Sequence, residues 1–243
     1  MKKAIWAGLI VLLAGGAFMA ATAIDKKPKA ETTTNVAAEQ PTPEAARAGS
    51  PFKNPEDAKK AAEKVTEPTV PAITYGNADA PLVMKEFASF TCSHCAHFHS
   101  DTLPDLIAKY IDTDKVQLHL NSFIRNEQDL RATQLVYCVE GNEKRQNFVK
   151  AILKAQDQWA FDADFLKNLR VLAQVGGVSN EQFDQCIADK ALEEKIIKNR
   201  EYAIGSGVNS TPFFVLDGET VTGARDIDTF STAIDAALAA ETK

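Results

Sequence analysis

The sequence predicts an α/β fold in which a block of helices interrupts the α/β unit. Three observations carry this. A strongly apolar stretch over residues 82–90 runs into Cys92-Ser93-His94-Cys95, where a helix is expected to begin. From about residue 126 to 205 there is no convincing strand pattern, and apolar residues recur at helical spacing instead. Strand character returns at residues 212–216, followed by Asp217-Gly218, a strong two-residue hairpin signal.

The 243 residues are 45% hydrophobic and carry a formal net charge of -6. That length buries one good core, or a core with a satellite lobe. Mild acidity favours solubility and argues against a nucleic-acid partner, which wants a basic surface.

Lys2 and Lys3 form a charged start, residues 4–20 are uncharged and mostly apolar, and Ala21-Thr22-Ala23 offers a small-x-small cleavage site. This is the pattern of an export signal over residues 1–23. An uncleaved anchor is the alternative, because the apolar stretch approaches the roughly 20 residues of a spanning helix. Either outcome places the remainder in the periplasm or another extracytoplasmic space, where disulfides persist. Uncleaved, the segment would tether the protein to the membrane. Residues 24–68 are rich in Ala, Pro, Thr, Lys and Glu and poor in large apolar side chains. They cannot offset their ordering entropy by burial and read as a flexible, disordered tether. Within it, Asn54, Pro55, Glu56 and Asp57 suit the start of a short helix over 55–65. Its Ala-rich face leaves either a solvated helix or a weak self-association segment.

The folded domain is expected over residues 69–243. Residues 70–75 read as a short strand, 76–81 as a loop, and 82–90 as a central strand buried on both faces. The helix starting at the cysteines should kink or break at Leu103-Pro104, because proline lacks the amide hydrogen. Residues 116–124 form another strand. Gly141, Gly176-Gly177 and Ser179 divide the following block into several helices. Trp159 and Phe161 sit inside it as core packing or as a lid. Thr220 to Thr222 completes the hairpin, and Asp226 caps a last helix to about Ala239.

A CxxC between a buried strand and a helix is the context in which the motif carries redox meaning. A helix N-terminus presents unpaired amide hydrogens and a partial positive charge, which stabilise a thiolate at Cys92. His94 adds a donor or a positive charge. Both effects lower the thiol from about 8.5. Each unit is worth about 1.4 kcal/mol; it favours the reduced pair and makes the disulfide more oxidising by roughly 30 mV. Cys95, one turn inside, would be the buried resolving thiol. A structural bridge or a zinc half-site is the competing reading. Structural zinc usually needs a second paired ligand set, and His97 and His99 point different ways on one helix. Both are read as surface residues.

The other two cysteines, Cys138 and Cys186, fall in the helical block. Four cysteines permit three pairings, and the motif assigns Cys92 to Cys95. The remaining two should pair as a structural bridge, closing a loop of about 48 residues worth about 4 kcal/mol. A second redox couple or an intermolecular bridge is the alternative. No Gly-rich phosphate loop, Ser-His-Asp arrangement or metal cluster is legible, and no cofactor is expected.

The stretch Val83-Met84-Lys85-Glu86-Phe87-Ala88-Ser89-Phe90-Thr91-Cys92-Ser93-His94-Cys95 resembles the active-site segment of DsbA-like thiol–disulfide oxidoreductases. The resemblance includes Ile73-Thr74-Tyr75-Gly76 and resumes at Gly207-Val208-Asn209-Ser210-Thr211-Pro212-Phe213-Phe214. It covers nearly the whole folded domain and implies a thioredoxin-like fold with an inserted all-helical domain. Pro212 matches the family's cis-proline, which packs against the disulfide; without the family it is merely a strand-start proline. The backbone at Thr211 would then pair with an extended substrate peptide. Glu86 matches the acid buried under the active site. A carboxylate in an apolar strand is costly unless paired or protonated. Burial that favours its protonated form would let it exchange a proton with Cys95. An ordinary edge pair with Lys85 is the other reading. The sequence departs from the best-known oxidases at Ser93, where they have proline, and at Thr211, where they tend to have valine.

The leading expectation is an oxidase that introduces disulfides into unfolded or partly folded cysteine-containing proteins. The resemblance implies reoxidation by a DsbB-like membrane quinone reductase. An isomerase or reductase, with oligomerisation through the N-terminal segment, is the second reading. A thioredoxin-like binding module with a non-catalytic CxxC is the third, and a zinc-binding protein the fourth.

Overall fold

The computed structural model describes residues 67–241. The export signal, most of the tether and its short helix at 55–65 lie outside the described residues.

Five strands form one sheet. They are β1 (Ile73–Tyr75), β2 (Leu82–Ala88), β3 (Val116–Ser122), β4 (Phe213–Leu216) and β5 (Glu219–Thr222), in the order β1-β3-β2-β4-β5. Parallel pairing of β2 with β3 sets Glu86 opposite Leu120, and antiparallel pairing with β4 sets it opposite Phe214. The central strand departs from its expected burial. Leu82 and Met84 are buried while Val83 and Lys85 face out, and both faces are covered only from Glu86 onward. One-residue alternation explains this: the face bearing Val83 and Lys85 stays open until the strand reaches Phe87, which packs with Ala203, Val208 and Phe213.

Two turns show why their residues are needed. Gly76 has φ +89°, and a Cβ there would lie 2.7 Å from Ile111 Cγ2. Asp217 and Gly218 have φ 47° and 80°, the left-handed pair of a tight hairpin that joins β4 to β5.

The helix after the cysteines does not break at Pro104. It runs as α1 (Ser93–His97), a π-helical turn (Phe98–Thr102), α2 (Leu103–Leu106) and a second π-helical turn (Ile107–Ile111). Pro104 falls in the first turn of α2, and the Leu103 N–H reaches back five residues to the Phe98 carbonyl. The wider turn accommodates the proline ring and its missing donor without ending the helix.

Six helices separate β3 from β4. They are α3 (Glu127–Cys138), α4 (Asn142–Lys154), α5 (Gln156–Trp159), α6 (Phe165–Val175), α7 (Asn180–Ala188) and α8 (Lys190–Gly205). Three of them start with side-chain caps: Asn126 accepts from the Asp129 N–H, Ser179 and Gln182 form a capping box, and Asp189 accepts from the Leu192 N–H. The block packs around Leu135, Phe148, Ile152, Trp159 and Leu169, in one cluster with Cys92 and Cys95. Trp159 is core, its indole N–H donating 3.0 Å to the Ile152 carbonyl. Phe161 remains 69% exposed. Cys138 and Cys186 are joined by a disulfide, Cα atoms 6.2 Å apart, tying the end of α3 to α7.

A second cluster joins the sheet to α2 and to the last helix, α9 (Ile227–Glu241). At its centre Phe98, Phe214 and Phe230 stack mutually, with ring centroids 4.7 to 5.4 Å apart. The Asp226 carboxylate accepts from the Thr229 N–H at 2.9 Å, the cap expected at the start of α9.

Candidate active site

Strand β2 delivers the chain to Cys92, which sits at the N-cap of α1 in extended conformation. Its carbonyl accepts from the Ala96 N–H, and its own N–H donates to the Ser89 carbonyl. Both cysteines of the motif are free thiols. Cys92 is 5% exposed and Cys95, one turn inside, is 0% exposed.

The two sulfurs are held very differently. The Cys92 thiol is lowered to about 5. The largest cause is the hydrogen bond from the Cys95 side chain, and burial works against it. The Thr211 side chain, the Cys95 N–H and the Arg125 charge add to the lowering. The helix N-terminus thus acts through one identifiable amide, that of Cys95. The Cys95 thiol is pushed well above its ordinary range by burial first, then by Cys92 and by the Glu86 charge. His94 is turned toward His97, ring centroids 6.4 Å apart, and the groups that hold the Cys92 thiolate are Cys95, Thr211 and Arg125.

Across from Cys92 lies the segment that opens β4. The Thr211–Pro212 peptide bond is cis. The Thr211 carbonyl is 3.4 Å from Cys92 Sγ and accepts from the thiol when it is protonated. Residues 119 positions apart in sequence are thereby brought together.

Glu86 is wholly buried, and its partner is not Lys85. Strand alternation sends Lys85 to the open face. The carboxylate instead meets His99 Nε2, 3.0 and 3.2 Å from its two oxygens. This corrects the reading of His99 as a surface residue; His97 alone of the two is exposed. The π-helical turn containing His99 rotates its ring inward to the strand, and the two histidines diverge. Burial raises the Tyr75 phenol, and the Glu86 charge adds to that as it does at Cys95.

Sequence reasoning missed a second polar group. The Asp129 carboxylate is 1% exposed; it accepts from the Phe90 N–H at 2.8 Å and from the Arg125 N–H at 3.1 Å. Gln156 Nε2 donates to the Phe90 and Cys92 carbonyls at 2.8 and 3.1 Å, and Asn126 Nδ2 donates to Thr91 Oγ1 at 3.2 Å. One signal was available. Asn126-Glu127-Gln128-Asp129 has capping-box spacing, which marks a helix start but not an acid facing inward.

A thioredoxin-like sheet, a helical insertion and an unequal cysteine pair at a helix start define the class of DsbA-like thiol–disulfide exchange proteins. A family model described as thioredoxin matches residues 68–236, and the chain belongs to that family. A "Putative protein-disulfide oxidoreductase" of Rickettsia felis is 35% identical over 164 residues, 67% of this chain and 59% of that protein. The chain therefore spans about three-fifths of the length of such curated relatives. A "Probable disulfide bond formation protein D" of Bacillus anthracis is 29% identical over 67% of this chain and 76% of its own length. Among solved structures, alpha-DsbA1 of Wolbachia pipientis matches with TM-score 0.67 and 28% identity, over 75% of this chain and 98% of that one. Among the described residues, no helix is long and apolar enough to cross a membrane.

Proposed function

We propose that this chain is an exported dithiol oxidase that introduces disulfides into cysteine-containing proteins. One observation carries the reading: Cys92 is lowered to about 5 while its partner Cys95 is raised well above the ordinary range. A stabilised Cys92 thiolate favours the reduced pair, so the Cys92–Cys95 disulfide is a strong oxidant.

The exchange runs in two displacements. A substrate thiolate attacks the Cys92 sulfur, the Cys92–Cys95 bond breaks, and the electron pair leaves on Cys95, which takes up a proton. Glu86 lies within electrostatic reach of Cys95 and is the candidate for exchanging that proton. A second substrate thiolate then attacks the substrate sulfur of the mixed disulfide, and Cys92 leaves as its stable thiolate. Two electrons pass from substrate to enzyme. The Thr211 backbone supports an extended substrate beside Cys92. Regeneration requires a two-electron acceptor, for which a DsbB-like membrane quinone reductase is the proposed partner.

Refolding of a reduced, cysteine-rich protein tests this. Oxidised enzyme should restore its activity stoichiometrically, and Cys92→Ser should not. Thr211 favours a second reading, an isomerase, since it stands where the best-known oxidases tend to have valine. Rapid reshuffling of scrambled disulfides by a reduced oligomer, without net oxidation, would favour the isomerase over the oxidase.

A further inference from the structure

Strand β2 ends at Ala88, and the chain then crosses Ser89, Phe90 and Thr91 to reach Cys92. Phe90 is 1% exposed and lies past the last strand pairing, so its carbonyl needs a donor from elsewhere. Gln156, the first residue of α5 and itself buried, supplies it. Its Nε2 donates to the Phe90 carbonyl at 2.8 Å and to the Cys92 carbonyl at 3.1 Å. A glutamine amide nitrogen carries two hydrogens, one for each carbonyl. The amide is also firmly backed. Trp159, three residues on, is wholly buried and bonded to the Ile152 carbonyl, and the Ala160 N–H donates to the Gln156 carbonyl at 2.8 Å.

The second carbonyl gives this contact a chemical consequence. It belongs to the nucleophile, and it also accepts from the Ala96 N–H at 3.1 Å. The Cys92 peptide is thus held by the helix on one side and by the insertion on the other. The Cys92 sulfur hangs from that peptide, while the Thr211 carbonyl it meets at 3.4 Å sits on a distant segment. A rotation of the Cys92 backbone would swing the sulfur away from it. We propose that Gln156 is a positioning residue for the exchange reaction: its side-chain amide holds the Phe90 and Cys92 carbonyls together and so sets the Cys92 sulfur against Cys95 and Thr211. The proposal rests on the redox reading of the Cys92–Cys95 pair.

A tie that only stabilised the insertion would change unfolding and leave the sulfur alone, and this separates the two roles. The ultraviolet absorbance of the thiolate is titrated in the reduced protein, and the equilibrium of the Cys92–Cys95 pair with glutathione is measured beside it. The proteins are wild type, Gln156→Met and Leu169→Ala. Gln156→Met keeps the bulk and removes both donors. Leu169→Ala opens a cavity in the core of the insertion and touches none of these hydrogen bonds. Gln156→Met should raise the Cys92 midpoint by about one unit and make the disulfide about tenfold less oxidising at neutral pH. Leu169→Ala should lower stability and leave both readouts within about twofold of wild type. A destabilised Gln156→Met with the wild-type midpoint and equilibrium overturns the proposal, and so does an equal shift in Leu169→Ala. If Gln156→Met does not fold, Gln156→Asn keeps the amide on a stem one methylene shorter, which cannot span both carbonyls. It should raise the midpoint in the same sense, and a wild-type midpoint there also overturns the proposal. Should wild-type Cys92 titrate near an ordinary 8.5, the redox reading fails and the proposal with it, a result read on the wild type alone and distinct from every variant outcome.

Discussion

His99 Nε2 lies 3.0 and 3.2 Å from the two carboxylate oxygens of Glu86, and both side chains are enclosed. A buried pair of this kind is costly to break from one side. His99→Leu should lower the unfolding free energy by about 3 kcal/mol, because it leaves a buried carboxylate without its partner. Glu86→Leu combined with His99→Leu should recover much of that loss. Denaturant unfolding of the three variants checks this; a double variant less stable than His99→Leu would contradict it.

The low Cys92 thiol makes the stability of the reduced protein pH-dependent. An unfolded thiol titrates near 8.5, and Cys92 in the fold near 5. Its contribution is therefore complete above about 8.5 and is lost as the pH falls through about 5. Asp129 works in the opposite sense. Raised to about 7 in the fold, it contributes below its unfolded value of about 3.9 and loses that contribution as the pH rises through 7. The difference in unfolding free energy between reduced wild type and Cys92→Ser isolates the first effect. It should grow from pH 4 to pH 9; a flat difference would show that Cys92 is not depressed.

Cys95→Ser should trap the mixed disulfide. With no inner thiol to release it, the Cys92 thiolate should attack a peptide whose cysteine is supplied as a mixed disulfide with an aromatic thiol, expel the aromatic thiolate and stay joined to the peptide. Mass spectrometry should find the peptide on Cys92 in a one-to-one ratio. Peptide recovered on Cys138 or Cys186 would count against the assignment of roles.

The Cys138–Cys186 bridge, at a sequence separation of 48, is a closed disulfide, whereas Cys92 and Cys95 are free thiols. Replacing both residues by Ala should lower stability by about 4 kcal/mol in the chain-entropy account. It should leave the redox potential of the Cys92–Cys95 pair unchanged. A shifted potential would mean that the bridge communicates with the active site.

His94 offers a sharper comparison. Its ring faces His97, and Arg125 acts on the Cys92 sulfur. His94→Ala should raise the Cys92 midpoint less than Arg125→Gln does. The thiolate absorbance titration decides it, and the reverse order would make His94 the stronger of the two influences on the sulfur.

Local pattern made much of the fold legible. The CxxC after an apolar strand, the helical spacing of the long insertion and the Asp217-Gly218 turn each have a nearby physical cause. What stayed hidden depended on geometry assembled over distance. The inward turn of His99 follows from a π-helical turn, which no spacing rule at that point announces. Asp129 and Gln156 reach the active-site turn from the insertion, and each looks like an ordinary surface or capping residue in sequence. Pro104 misled because its effect depends on the hydrogen bonding of the turn around it.

The unequal exposure of the two active-site cysteines, 5% for Cys92 and 0% for Cys95, has a consequence for regiochemistry. A thiolate arriving from solvent can touch one sulfur and not the other. Every covalent adduct with a visiting chain must then form at the same atom, whichever direction electrons flow. Access decides which bond a visitor makes, and the relative stability of the two thiolates decides which bond it leaves behind.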